Sequence, residues 1–433
     1  MRQTNGPVPT LYWFDRDLRL DDNPALAHAA QQASELTCVY CDDAARYAAG
    51  KFGIERIGSK RRRFIAQSLS ALAASLEPLG QERLQLQGCA LSNLRILIDD
   101  RGIRRVVRSR HFGFYEQRQW AQLKRERPEV EFVEVDGYTL FRQDQVDAIG
   151  KLPPTFSQFR RRAEHTAIIS PADACLLPAA PSAGHAAAPA EAPVMTSESG
   201  FVGGETAALA HVQAYFASAL PSTYKKTRNA IDGWPHSSKM SPWLAAGCLS
   251  PRRLYQRLKQ YEATQGANQS TYWLFFELLW REYFQWYARE HAEKLFQPGG
   301  ISGKTPLLEF DPGRFVAWCN GETEWPLVNA CMSQLNRTGY LSNRARQIAA
   351  SALIYELNID WRAGAAWFER QLIDHDVACN WGNWQYIAGV GADPRGGRHF
   401  SIEKQARLFD ADGSYVARWL DPARRGLTCG EVA

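Results

Sequence analysis

Two hydrophobic rhythms divide the chain. Up to residue 135, short apolar runs alternate with stretches of helical spacing. Residues 10–14, 36–40, 83–87, 105–108 and 130–135 have strand character. Between them, 69–76, 94–98 and 116–125 repeat apolar residues at intervals of three and four. Asn23-Pro24 marks a helix start, a capping residue followed by proline in the first turn. This alternation predicts an α/β N-terminal domain, a parallel sheet with helices on both faces. No G-x-G-x-x-G follows the first strand, so the sheet offers only the crevice its strand ends create.

The rhythm changes after residue 170. Residues 171–205 are rich in Ala, Pro, Gly and Ser, cannot bury much, and read as a linker. From residue 206 the spacing is almost wholly helical. Ser241-Pro242 and Ser250-Pro251 are helix starts. A long aromatic helix spans 270–292, and 326–335, 342–357 and 361–373 follow. The expected organisation is an α/β domain over 8–140, a linker over 141–205, an all-α C-terminal domain over 206–422 and a tail over 423–433.

Composition narrows the function only a little. A net charge of +5 tolerates nucleic acid as a partner without requiring it. No apolar run approaches the ~18 residues of a transmembrane helix, and no signal peptide opens the chain. Nine cysteines are scattered, an odd number that suits a reducing cytoplasm. Cys38 and Cys41 form a lone C-x-x-C inside a strand and read as small core residues, not metal ligands. Twelve of the fourteen tryptophans lie at or after Trp234. Such a cluster fits a helical core as well as it fits a flat ligand or an electron path.

Four constellations carry chemistry. Ser237, Ser238, Lys239, Met240 and Ser241 precede a helix, where free N–H groups and a cation form a phosphate cradle, or merely a capped start beside a solvated charge. Tyr224, Lys225, Lys226 and Arg228 lie just upstream. Glu277, Trp280 and Arg281 share adjoining sides of the aromatic helix and line a polar pocket or form an intrahelical pair. Ser342 caps a helix whose first turn holds Asn343 and Arg344, suited to a nucleic-acid phosphate or to solvent. Asp374, His375 and Asp376 precede Asn380, Trp381, Asn383, Trp384 and Tyr386. Adjacent residues rarely converge on one ion, so a flat polar ligand fits this last group better than a metal.

Taken together, the motifs resemble the cryptochrome–photolyase flavoproteins, most closely the DASH cryptochromes. The resemblance runs from Leu11 to about Trp419. It is carried by WFDRDLRLDDNPAL, YKKTRNAIDG, SSKMSPWLAAGCLSPR, STYWLFFELLWREYF, NRARQ, LIDHDVACNWGNWQYIAGVGADPR and FSIEKQARLFDADGSYV. It implies a Rossmann-like antenna domain and a helical domain holding FAD. Tyr224, Ser237, Ser238, Lys239, Met240 and Ser241 are then expected at the phosphates and ribityl chain. Arg346 and Asp374 are expected as an ion pair beside the isoalloxazine, Asp376 on the adenosine side and Asn380 at flavin N5. Arg228, Glu277, Trp280, Asn343, Arg344, Tyr386 and Gln405 are expected to meet damaged DNA, with Trp384 and Trp361 as inner relay tryptophans. The implied activity is that of a deoxyribodipyrimidine photo-lyase: light-driven electron transfer splits a cyclobutane pyrimidine dimer flipped into the pocket, with Glu277 stabilising the charge.

Departures refine these expectations. Enzymes for the (6-4) photoproduct carry a histidine where this chain has Asn343, which disfavours that lesion. Gln347 and Tyr386 stand where duplex-specific photolyases carry Met and Trp, which predicts a preference for single-stranded or loop DNA, with RNA as a further partner. The outer relay position is Leu308, so either Trp318 or Trp325 is the expected surface terminus or photoreduction is impaired. Glu116 matches an acid that contacts a folate (methenyltetrahydrofolate) antenna, although HFGFYEQ around it differs from the common pattern. The expected protein is a cytoplasmic monomer. The alternative is a blue-light photoreceptor that binds nucleic acid with little repair; the chain runs only fourteen residues past Trp419, which favours repair.

Overall fold

The computed structural model describes residues 6–178, 198–304, 306, 309–393 and 395–420. Five strands, β1 (Val8–Phe14), β2 (Ala33–Asp43), β3 (Arg83–Gly88), β4 (Arg105–Ser109) and β5 (Glu131–Val135), form one sheet. The order is β3-β2-β1-β4-β5 and every pairing is parallel. Alternate residues of β1 serve opposite faces. Leu11 and Trp13 enter a small core under one layer of helices, and Tyr12 and Phe14 enter the large core that continues into the helical part. The strand order reverses at β1, so a crevice opens at the carboxyl ends of β1 and β4. Cys38 and Cys41 are buried free thiols of β2, each pushed by burial up to about 12.

The stretch expected as a linker is partly regular. Helices Gln143–Ile149 and Phe156–Ala163 lie within 141–205. Phe156 and Phe159 bury the second helix against the long aromatic one, an amphipathic signal too short to stand out in the sequence.

The helical part is organised by Gln269–His291. Asn268 caps it by accepting from Ser270 N and Thr271 N, and Leu278, Leu279, Tyr283, Phe284 and Tyr287 sink into the core. Polar latches bind this part to the sheet domain. Glu282, fully buried, accepts from Leu140 N at 2.8 Å, Phe141 N at 3.1 Å and Trp286 Nε1 at 2.7 Å. Tyr138 donates to Asp376 at 2.6 Å. Arg19 donates to the Gly247 carbonyl at 2.9 Å, and Asp22 pairs with Arg252 at 3.0 Å, both side chains buried. No described helix is long and apolar enough to cross a membrane.

Candidate functional site

A cavity of about 310 Å³ opens inside the helical part. Tyr224, Ser237, Ser238, Lys239, Met240, Ser241, Arg346, Asp374, Asp376 and Asn380 all line it, although they come from segments far apart in the chain. Five segments converge: the end of Leu220–Thr227, the loop before Ser241–Ala246, and helices Gln269–His291, Asn343–Ser351 and Val377–Ala388.

The loop 237–240 shows why hydroxyls and a cation were placed together. Ser237 and Lys239 have φ of 67° and 57°, left-handed conformations that ordinary side chains adopt at a cost of about 1–3 kcal/mol. Lys239 is 6% exposed and makes no ion pair among the described residues. Its ammonium sits 5.0 Å over the Tyr340 ring. Burial lowers its pKa to about 8, with Asp232 opposing and Arg346 adding to the shift. A buried cation without a carboxylate partner is a site for an anion. Ser241 is the first helical residue, not the cap; Met240 occupies the cap position, and Ser241 Oγ donates to Asp374 at 2.6 Å.

Asp374 also accepts from Arg346 at 2.7 Å, the ion pair the family resemblance implied. Its second oxygen is buried and has no hydrogen-bond partner among the described residues. A buried acceptor left unmet costs about 1–3 kcal/mol, so a donor from a bound molecule fits there. Asp376 is different. One oxygen accepts from Gln285 Nε2 and Cys379 N, both at 2.8 Å, and the other from Tyr138, so it latches the two domains as well as lining the cavity. Burial alone would raise its carboxyl, but Arg16 and Arg281 hold it below the usual range. Asn380 Nδ2 donates to the Ala365 carbonyl at 3.0 Å.

The mouth of the same cavity gathers part of the expected DNA set. Arg228, Glu277, Asn343 and Gln347 line it. Arg228 pairs with Glu277 and lies 4.2 Å over the Trp273 ring. Burial pushes the Glu277 carboxyl up, and Arg228 draws it back. Arg281 makes no pair with Glu277; it donates to the Tyr138 carbonyl at 2.9 Å. Trp280, Arg344, Tyr386 and Gln405 do not line the cavity wall. Trp280 stacks on Phe156 at 3.8 Å and meets Tyr386 edge-on at 5.7 Å. Arg344 reaches Gln405 at 3.5 Å. Tyr340, Trp273 and Tyr138 were missed, because only their three-dimensional neighbours give them a role.

Trp384 lines the cavity, and Trp361 is fully buried on the adjacent helix Trp361–Gln371. One expectation fails here. Trp318 is fully buried, 6.3 Å from Trp384, and cannot be a surface terminus; its helix Pro312–Asn320 packs that face inward. Trp325 is half-buried. Leu308 lies outside the described residues.

A second cavity, about 350 Å³, lies between the domains at the sheet crevice. Asp15, Arg16 and Glu116 line it from the sheet domain, and Glu369, His375 and Trp381 from the helical one. His375 Nδ1 and Arg61 Nε are buried there without hydrogen-bond partners among the described residues. Ala245 and His375 line both cavities.

Comparison with known proteins places the chain in a family. Residues 10–180 match the family model of DNA photolyase, and 273–427 match the FAD binding domain of DNA photolyase. A cryptochrome DASH of Idiomarina loihiensis is 46% identical over 94% of this chain and 92% of its own length. One from Vibrio parahaemolyticus is 47% identical over the same shares. The crystal structure of a Synechocystis cryptochrome superposes with a TM-score of 0.90 at 39% identity, covering 96% of this chain and 89% of that one. A bacterial class III photolyase from Agrobacterium tumefaciens gives 0.82 at 29% identity, covering 97% and 88%. The chain belongs to the cryptochrome–photolyase family, in its cryptochrome DASH branch, and its helical part is an FAD-binding domain.

Proposed function

We propose that this protein uses blue or near-ultraviolet light to split cyclobutane pyrimidine dimers, preferring those in single-stranded or looped DNA. What supports this reading most is that one cavity holds both sets of residues, the phosphate loop and Arg346–Asp374 pair inside and Arg228, Glu277 and Asn343 at its mouth. Reduced FAD, when bound, supplies the light-driven electron that opens the dimer. Tyr224, Ser237, Ser238, Lys239, Met240 and Ser241 hold its phosphates and ribityl chain. Arg346 and Asp374 would flank the isoalloxazine, Asn380 would serve its N5 edge, and Asp376 would lie toward the adenosine.

The residues at the mouth follow from their electrostatics. Arg228 exchanges Glu277 for a DNA phosphate when the strand binds. That frees Glu277, whose carboxyl burial pushes up, to hydrogen-bond the dimer and stabilise the charge that develops on it. Trp280 and Tyr386 pack against the flipped bases, and Asn343, Arg344 and Gln405 position the backbone. Gln347 makes the mouth polar, so less of the unpairing cost of a few kcal/mol per duplex base is offset. The assay is light-dependent dimer loss on single-stranded and duplex oligonucleotides. Equal rates contradict the strand preference; no loss on either, with FAD bound, contradicts repair and favours a photoreceptor.

For the second cavity we infer a folate antenna contacted by Glu116. Lys51, Arg56 and Arg362 on its wall suit an anionic tail, and the orphan His375 Nδ1 and Arg61 Nε suit a polar ring. The chromophore released on denaturation identifies the occupant, and a flavin in that place refutes the folate. The reading also takes the protein as a cytoplasmic monomer that binds RNA as a second nucleic acid. Size-exclusion mass and RNA titration test these two points.

A further inference from the structure

Electrons that reach a flavin through tryptophans must be replaced from outside, and the described indoles offer two directions. Trp384, on the cavity wall, meets Trp318 at 6.3 Å and Phe368 at 5.1 Å. It also packs on the backbone of Gly364, one helical turn from Trp361. Trp361 meets Trp381 edge-on at 5.9 Å. The direction through Trp318 leads to Phe315 and Phe310. Those rings reach the surface but are far harder to oxidise than indole. Trp318 Nε1 donates to the Ala349 carbonyl and Trp361 Nε1 to the Pro298 carbonyl, both at 3.0 Å. A carbonyl cannot take the acidic proton of an oxidised indole.

Trp381 differs in both respects. It lines the second cavity, and its Nε1 donates to Glu369 Oε2 at 2.9 Å. Phe296 lies 4.9 Å from it, and Tyr115, 42% exposed, stands next to Phe296. We infer that the relay of this protein runs Trp384, Trp361, Trp381 and ends at the second cavity, with Glu369 as the proton acceptor. The inference rests on FAD occupying the first cavity.

The steps balance. Trp384 gives one electron to the light-excited bound flavin, Trp361 refills Trp384, and Trp381 refills Trp361. The Trp381 indole, one electron short, passes its Nε1 proton to Glu369 and becomes a neutral radical. Burial pushes the Glu369 carboxyl above its usual range, which makes it the stronger base once ionised. An external thiolate returns the electron at the exposed Tyr115 side, through Phe296, Glu369 returns the proton, and two thiyl radicals couple to a disulfide. Glu369 is thus a positioning and proton-accepting residue, and Trp381 the relay terminus.

The test uses the full chain with FAD content measured first, so that failure to bind FAD is separated from failure of the relay. Trp381→Phe, Glu369→Gln and Trp318→Phe are compared by flash transient absorption and by flavin reduction under steady light with a thiol. Trp381→Phe is expected to lower reduction about tenfold. Glu369→Gln keeps a hydrogen-bond acceptor and is expected to replace the neutral radical with a shorter-lived cationic one. Trp318→Phe is expected to behave as wild type. Wild-type reduction in Trp381→Phe, loss carried by Trp318→Phe, or an unchanged neutral radical in Glu369→Gln overturns the inference. Thermal melting of each FAD-free variant confirms that it is folded.

Discussion

Lys239→Met separates binding from stability at one residue. Lys239 is 6% exposed, has no carboxylate partner among the described residues, and has its pKa lowered from 10.5 to about 8 by burial. Keeping it charged at pH 7 costs the FAD-free fold on the order of 3 kcal/mol. Methionine keeps the chain length and removes that cost, while losing the contact with the Tyr340 ring, worth about 1 kcal/mol. The FAD-free variant is therefore expected to be about 2 kcal/mol more stable at pH 7. The sign with pH follows from a depressed lysine: the penalty is full below pH 8 and shrinks as pH rises toward 10.5, so the two proteins converge there. Binding moves the other way. Losing a charged hydrogen bond to phosphate costs about 1.5–3 kcal/mol, or about 10–100-fold in FAD affinity. Wild-type affinity falls above pH 8 and the variant's stays flat. Denaturant melts of FAD-free protein and FAD titrations across pH measure both. A destabilised variant, or one that binds FAD as wild type does, refutes the reasoning.

Glu277→Gln retains FAD but is expected to lower dimer repair about 100-fold, read as turnover under saturating light. Asp374→Asn strands the Arg346 guanidinium in a largely buried site and is expected to cost about 3 kcal/mol, read as a lowered Tm of the FAD-free protein. Glu282→Ala leaves Leu140 N, Phe141 N and Trp286 Nε1 without an acceptor and is expected to cost at least ~3 kcal/mol in denaturant melts. An unchanged midpoint would show that water replaces the carboxylate.

The strands were legible because their apolar residues either run together, as in β1, or alternate with polar ones, as in β3, and the observed β2, β3 and β4 overlap the predicted runs. The cavity-lining loop 237–241 was legible because serine, lysine and proline cluster in sequence. Ser241 misled: its hydroxyl serves Asp374, 133 residues away, and local capping rules carry no trace of that contact. Tyr138, Tyr340 and Trp273 were illegible for the same reason, since each acts through partners in other elements. Trp318 misled in another way. A tryptophan in a short amphipathic helix can face either side, and only packing against Phe315, Phe368 and Trp384 decides that it faces inward.

The polar latches between the two domains make neither half a portable module. Glu282 and Asp376 in one half look for donors at Tyr138, Leu140 and Phe141 in the other, and Asp22 looks back to Arg252. A helical fragment cut free, or grafted onto a foreign sheet domain, would carry carboxylates whose partners stayed behind, at a cost of several kcal/mol each. Recombination between distant relatives is therefore expected to succeed only when residues 138–141 travel with the helical half.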